Sequence, residues 1–301
     1  MKSAIRISPW IIMTALLWVI FMCHAYAADP LKVTASILPQ KYFLEQIGGN
    51  RIDISVMVLP GANPATYEPK PKQMVNLTRS RIYFAIGVPF ETAWLDKFAH
   101  ASPKMQIVAT QEGVEKIPMI KAGRHGRVNH YGTAVPVARV LDPHIWLSPP
   151  LVMLQVRNIL AALVKADPAG RSFYQANYKA FVTELVDLDL KISSLFADSG
   201  PEKRFMVYHP AWGYFARAYG LMQIPVEAEG KEPTPRGLQR LIGEAKEKGI
   251  RAIFVQPQFS TKSAETIARA INGRVVVADP LALDWRANLL HVAEAFKTAI
   301  K

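Results

Sequence analysis

Between residues 174 and 195 the apolar side chains Tyr174, Tyr178, Phe181, Leu185, Leu188, Ile192 and Leu195 recur at alternating spacings of four and three. An α-helix places such a series on one face. A helix carrying the whole stripe needs roughly 28 residues and spans about 40 Å at 1.5 Å per residue. Two arrangements bury a stripe of that length. One is a coiled-coil dimer. The other is an internal spine along which the rest of the chain packs. Both ends of the stripe run directly into α/β patterning, which favours the spine.

Ahead of the stripe, strand-like runs fall at 32–37, 52–59, 82–86 and 106–109. Helical patterns lie between them around 42–47, 71–77 and 90–98. After the stripe the alternation resumes, with strands expected at 205–208, 222–226, 252–255 and 275–278. Helices are expected near 212–219, 235–248, 261–271 and 285–300. The helix from 235 carries its own punctuation: Thr234 to cap it, Pro235 in the first turn, Gly249 to end it. Strands alternating with helices imply parallel sheets. The expected fold is therefore α/β, with two parallel-sheet lobes joined by one long spine helix and a ligand cleft between them. The expected division is a first lobe over 28–150, a linking region with the spine over 151–200, and a second lobe over 201–301.

Residues 1–27 read as a secretory signal. Lys2 and Arg6 supply the charged start, Trp10 to Met22 the apolar core, and Ala25-Tyr26-Ala27 the small-residue cleavage site. The apolar run is short for a membrane span. Bulky Phe21 and Met22 precede Cys23 where a lipid-modified cysteine would follow small residues. Cleavage after Ala27 leaves 301 − 27 = 274 residues and removes Cys23, the single cysteine. The mature chain then has neither a disulfide nor a thiolate ligand, so any metal is held by nitrogen and oxygen. Losing Lys2 and Arg6 takes the net charge from +12 to +10. A basic chain raises nucleic-acid binding. Export and the lack of a basic helix or of aromatic–basic alternation argue against it.

Three residues carry the chemistry. His144 lies in Asp142-Pro143-His144-Ile145-Trp146-Leu147-Ser148-Pro149. His209 lies in Val207-Tyr208-His209-Pro210 and Asp279 in Val276-Val277-Ala278-Asp279-Pro280. The last two follow short apolar runs, which places them just past the C-terminal ends of buried strands, where open α/β sheets gather ligands. Two imidazoles and a carboxylate converging on one point suit a divalent metal. Each also has a structural reading: His144 as a hydrogen-bonded seam residue, His209 as a strand-end cap, Asp279 as the turn residue of an Asp-Pro pair. Glu68, Glu227 and Glu229 are further carboxylate candidates. Trp146, Trp212 and Tyr214 read as cleft or core, and His100 and His291 as surface or packing residues. From Lys116 to Leu141 the chain has no acid, glycines at 123, 126 and 132, and His125 and His130. It reads as a long mobile loop, with the two histidines either handling metal or lying on the surface by chance.

With these motifs in view, nearly the whole mature chain resembles the periplasmic zinc- and manganese-binding proteins of ABC-type metal importers. The segment Leu59-Pro60-Gly61-Ala62-Asn63-Pro64-Ala65-Thr66-Tyr67-Glu68-Pro69 is similar to that family's first ligand loop. Asp142 to Pro149 is similar to its second, Tyr208-His209-Pro210-Ala211-Trp212-Gly213-Tyr214-Phe215 to its third, and Ala278-Asp279-Pro280-Leu281 to its fourth. Glu227 to Pro235 also looks like a family signature. The resemblance implies two α/β lobes on one long helix, with His144, His209 and Asp279 at ligand positions. A histidine at the third position is similar to zinc-type members, so Zn2+ is the expected ion, with Mn2+ or another divalent ion as alternatives. The chain departs from the pattern at Ala65, where the family usually has histidine.

The implied function is a non-enzymatic, periplasmic solute-binding protein, monomeric, that captures a divalent metal and delivers it to an ABC permease in the membrane. The alternatives are a metal-dependent hydrolase, or a family member that has lost tight metal binding and serves as a binding module or adhesin.

Overall fold

Strand β1 (Leu31–Ala35) pairs in parallel with β2 (Ile52–Val56) on one side and β3 (Ile82–Ala85) on the other. Strand β4 (Gln106–Ala109) extends the sheet beyond β3, giving the order β2-β1-β3-β4. The second half repeats the plan. Strands β5 (Arg204–Val207), β6 (Met222–Pro225), β7 (Ala252–Val255) and β8 (Arg274–Val277) form a parallel sheet in the order β6-β5-β7-β8. The computed structural model describes residues 29–119, 140–198, 203–227 and 230–300. The expected signal segment, His125, His130 and Glu229 lie outside the described residues.

The central strands are apolar without alternation because helices cover both faces. Every residue of β3 and β7 is buried. In the first half the connecting helices are α1 (Leu38–Gly48), α2 (Pro71–Leu77) and α3 (Pro89–Ala101). The stripe becomes α5 (Arg171–Phe196), 26 residues long. Its Tyr174, Phe181, Leu185, Leu188, Ile192 and Phe196 are buried. They face α4 (Pro149–Ala166), α1 and the C-terminal helix α9 (Trp285–Ile300). The stripe is thus consumed within the chain as a spine. One apolar core runs from the first sheet through α4, α5 and α9 into one side of the second sheet. Helix α6 (Gly213–Ala218) follows β5, and a smaller core lies under α7 (Pro235–Glu247) and α8 (Lys262–Ala270). The described residues from 31 onward form one compact unit.

Helix α4 is missing from the sequence expectation. Its start, Pro149-Pro150, resembles a breaker, yet proline suits the first turn of a helix. Its interior is apolar on most faces, which blurs the period. The buried set Val152, Gln155, Val156, Ile159, Ala162 and Leu163 still keeps helical spacing. The second strand was expected to reach 59 and ends at Val56. Met57 and Val58 nonetheless donate backbone hydrogen bonds to Ala35 and Ser36, 2.9 Å each. No described helix is long and apolar enough to cross a membrane.

Helix α7 starts and stops at the residues expected. Thr234 Oγ1 accepts a hydrogen bond from Gly237 N at 3.1 Å. Gly249 follows with φ of 63°, a conformation glycine adopts without strain. Thr234→Ala should lower stability by about 1 kcal/mol through the loss of this cap. Urea unfolding reads it, and an unchanged midpoint would show that the cap contributes nothing.

Candidate metal-binding site

In both sheets the strand order reverses direction between the first and third strands of the half: β1 and β3 in one, β5 and β7 in the other. The crevice outside the carboxyl ends of such strands is where open α/β sheets bind ligands. His209 sits two residues past β5, and Gly87 two residues past β3. Both line a cavity of about 360 Å³, together with His144 and Ala65.

His144 enters from Asp142-Pro143-His144, ahead of the short 3₁₀ turn Ile145–Leu147. Asp142 is buried, and its Oδ1 accepts from both the His144 backbone N (2.9 Å) and the ring Nδ1 (2.7 Å). A carboxylate can only accept, so Nδ1 holds the proton and Nε2 keeps its lone pair in the neutral ring. Burial pushes the His144 pKa below its ordinary value, against the opposing pull of Asp142. The imidazole is therefore neutral at pH 7. Asp142 is itself pinned by its backbone. Its N donates to Ile117 O at 2.8 Å. The hydroxyl of Tyr214 donates to Asp142 O at 2.9 Å and accepts from Ile117 N at 3.0 Å.

His209 is built the same way from the other half. Gln256, fully buried at the end of β7, brackets its backbone: Oε1 accepts from His209 N at 3.1 Å and Nε2 donates to His209 O at 2.8 Å. The ring Nδ1 donates to Glu227 Oε1 at 2.8 Å. One ring face stacks on Phe259 at 4.9 Å. The His144 and His209 rings face each other edge-on, 5.1 Å between centroids. Imidazoles whose Nδ1 is held by a carboxylate present Nε2 as a metal ligand of raised basicity.

The third candidate is oriented differently. Asp279 Oδ1 accepts from Gln258 Nε2 (3.1 Å) and from Leu281 N (2.9 Å), the second bond closing a turn over Pro280. Asp279 is not among the residues lining the cavity, though Gln258, Pro280 and Leu281 are. Among the described residues no group of three or more His, Cys, Asp or Glu side chains could hold a metal ion. The structure thus brings His144 and His209 together and leaves Asp279 in its turn beside them.

Ala65 lines the same cavity as the two imidazoles. Its loop is held by an Asn63 Oδ1 bond to Ala65 N at 2.8 Å. Glu68, in the same loop, is exposed and does not line the cavity. Trp146 lines it, whereas Trp212 is wholly core. His100 and His291 are exposed. The partners that sequence reasoning misses are Asp142, Gln256 and Phe259; Tyr214 is buried as expected, and Glu227, a ligand candidate from sequence, holds the His209 ring instead. A signal existed for Asp142, an acid two residues before a histidine. The others lie at least five residues from their imidazole and only the fold brings them there.

Residues 33–299 match the family described as zinc-uptake complex component A, periplasmic. The chain belongs to this family. It is 29% identical over 255 residues to the high-affinity zinc uptake system protein ZnuA of Bacillus subtilis, covering 84% of this chain and 79% of that protein. A crystal structure of ZnuA superposes with a TM-score of 0.83 at 41% identity, covering 91% of this chain and all of that one. A zinc-bound ZnuA deletion mutant gives 0.81 at 41% identity, covering 91% and 99%. Family membership makes the two carboxylate-held imidazoles the part of the cavity to test first. Asp142→Asn and Glu227→Gln should each lower zinc affinity by about 10–100-fold, because each loosens the orientation and basicity of one ring. Competition with a chelating dye checks this, and wild-type affinity in both variants would show that the carboxylates only support the fold.

Proposed function

We propose that this chain is the extracytoplasmic solute-binding component of an ABC-type importer, capturing a divalent metal, zinc first and manganese or another divalent ion as alternatives. The observation that carries the reading is the facing pair His144 and His209, each fixed at Nδ1 by a buried carboxylate. Such a pair leaves both Nε2 lone pairs free of the carboxylates and available to an ion in the cavity. Asp279 is the third proposed ligand, exchanging the Gln258 amide for the ion. Two nitrogens and one carboxylate suit zinc. The proposed route is capture in the cavity between the sheets and release to a membrane permease by a monomer, exported with its signal removed after Ala27. The lobe boundaries at 150 and 200 belong to the same reading.

The reading is non-enzymatic. The carboxylates nearest the imidazoles, Asp142 and Glu227, each spend an oxygen on a ring Nδ1. That use orients a ligand rather than drawing a proton from a bound water. Metal analysis of protein purified from its own compartment tests the proposal directly. About one zinc per chain supports it, and protein that neither carries nor takes up a divalent ion overturns it.

Binding should also depend on pH. Coordination needs a neutral imidazole, so protons compete with the ion. Burial holds His144 below the ordinary imidazole value of about 6.5. Zinc affinity should therefore stay nearly level from pH 8 towards that value and fall below it, by about tenfold per pH unit for each proton displaced. Titrations by calorimetry across this range check it. A flat profile down to pH 5 would mean that imidazoles are not the ligands.

A further inference from the structure

We infer that the end of the second sheet away from the cavity is a docking surface for an anionic phospholipid bilayer. This surface stands apart from the metal-capture site and uses none of the cavity residues.

The four strands of the second sheet are parallel, so their N-terminal ends lie together, at the end opposite His209 and Asp279. Three of those ends are basic. Arg204 opens β5, Arg274 opens β8, and Arg251 immediately precedes β7. Met206 pairs with Ile253, a register that sets Arg204 opposite Arg251. The Arg274 backbone N donates to Arg251 O at 3.0 Å. Three arginines thus stand on adjacent strands, with backbones roughly 4.8 Å apart. Like charges so placed repel and destabilise a sheet. Helices α7 and α8 end at the same level and add the exposed Lys246, Lys248 and Arg269.

Part of this charge has an internal use. Lys248 pairs with Glu247 at 2.7 Å, and Arg269 faces Glu265 at 3.9 Å. Bases at helix C-terminal ends also answer the helix dipole. Arg251 and Arg274 have neither use. Both are exposed at strand starts, and neither has an ion-pair partner among the described residues. Their charge is directed outward.

The neighbouring strand indicates what meets it. Met222 opens the edge strand β6 directly opposite Arg204 and is 50% exposed. A bilayer surface suits the combination: headgroup phosphates for the arginines, and the acyl boundary for the apolar side chain beside them. Single-stranded nucleic acid calls for aromatic stacking platforms. Among the described residues this end exposes no aromatic ring. Docking in this orientation leaves the cavity end facing solution.

Flotation of the exported protein with vesicles tests the surface. One set is phosphatidylethanolamine with phosphatidylglycerol, the other phosphatidylcholine alone. Wild type should float with the anionic set only, and high salt should release it. Arg251→Gln with Arg274→Gln should lower partition onto the anionic vesicles by about 25-fold, roughly fivefold for each charge removed. Met222→Ser should lower it further. Arg251→Lys with Arg274→Lys keeps the charge and should bind as wild type does. Lys72→Gln with Lys262→Gln makes the same charge change at the first turns of α2 and α8, beside the carboxyl ends of the strands, and should leave binding near the wild-type level. Equal urea midpoints show that the variants are folded. Equal binding to both vesicle sets, binding to neither, or equal losses in the two glutamine pairs overturns the surface. Binding to duplex DNA without binding to vesicles overturns it in favour of a nucleic acid. None of these outcomes bears on zinc capture.

Discussion

Ala65→His should tighten the binding of zinc alone by at least about 10–100-fold, the span that even outer-shell changes produce. Ala65 lines the cavity with His144 and His209, which puts position 65 on the wall of the proposed site. The loop is already ordered by the Asn63 side chain, and the position is exposed, so the larger side chain meets little opposition. The gain should vanish when His144→Ala is added, because a single imidazole from the second half leaves the new ligand with too few partners. Competition with a chelating dye measures both steps. Equal zinc affinity in wild type and Ala65→His, with the variant folded, would mean that position 65 does not reach the ion. The ligand assignment would then be wrong.

The second large effect concerns the join between the halves. Trp285 opens α9 and is fully buried. Its ring packs edge-on against Phe43 at 5.1 Å and lies 6.1 Å from Tyr42, both on α1 of the first half. Its Nε1 donates to Trp146 O at 2.7 Å. Trp146 in turn donates through Nε1 to Pro280 O at 2.7 Å, and its ring sits 5.1 Å from His144. The two indoles thus tie the turn carrying Asp279 to the turn carrying His144. Trp285→Ala should cost about 3–5 kcal/mol, the range for emptying a buried aromatic site. Trp285→Phe keeps most of the volume but strands the Trp146 carbonyl, and should cost about 1–3 kcal/mol. Urea unfolding gives both numbers. A loss under about 1 kcal/mol for Trp285→Ala would show that the indole is not a main joint of the core.

Much of the architecture is legible in residue order, for reasons that differ between elements. Helix α2 and helix α9 run over the residues expected, and so do strands β4 and β7. Strand β7 is a short apolar run bounded by Gly249 and Pro257, and α7 carries its own cap and stop. The spine was visible because a stripe of seven apolar residues tolerates no other secondary structure. Helix α4 was not visible, because an element buried on most sides loses the contrast on which periodicity depends.

The site divides in the same way. The expectation that His209 and Asp279 sit at strand ends follows from local pattern, and both lie two residues past a strand. What each side chain does there depends on residues far along the chain. His209 meets Glu227 across 18 positions and Gln256 across 47. Asp279 meets Gln258 across 21, which holds one oxygen in the turn.

Local sequence therefore determined which segments other than α4 became strands and helices, the parallel topology that follows from their alternation, and the methyl group at position 65. Those properties come from side chains acting on their own backbone or on near neighbours at a fixed period. Tertiary structure alone decided that two imidazoles face each other at 5.1 Å, that Glu227 holds the Nδ1 of His209, and that a cavity of about 360 Å³ opens beside them. The reason is physical. A hydrogen bond or a cavity wall is set by distance between elements, and that distance is fixed only when the core of α4, α5 and α9 has packed.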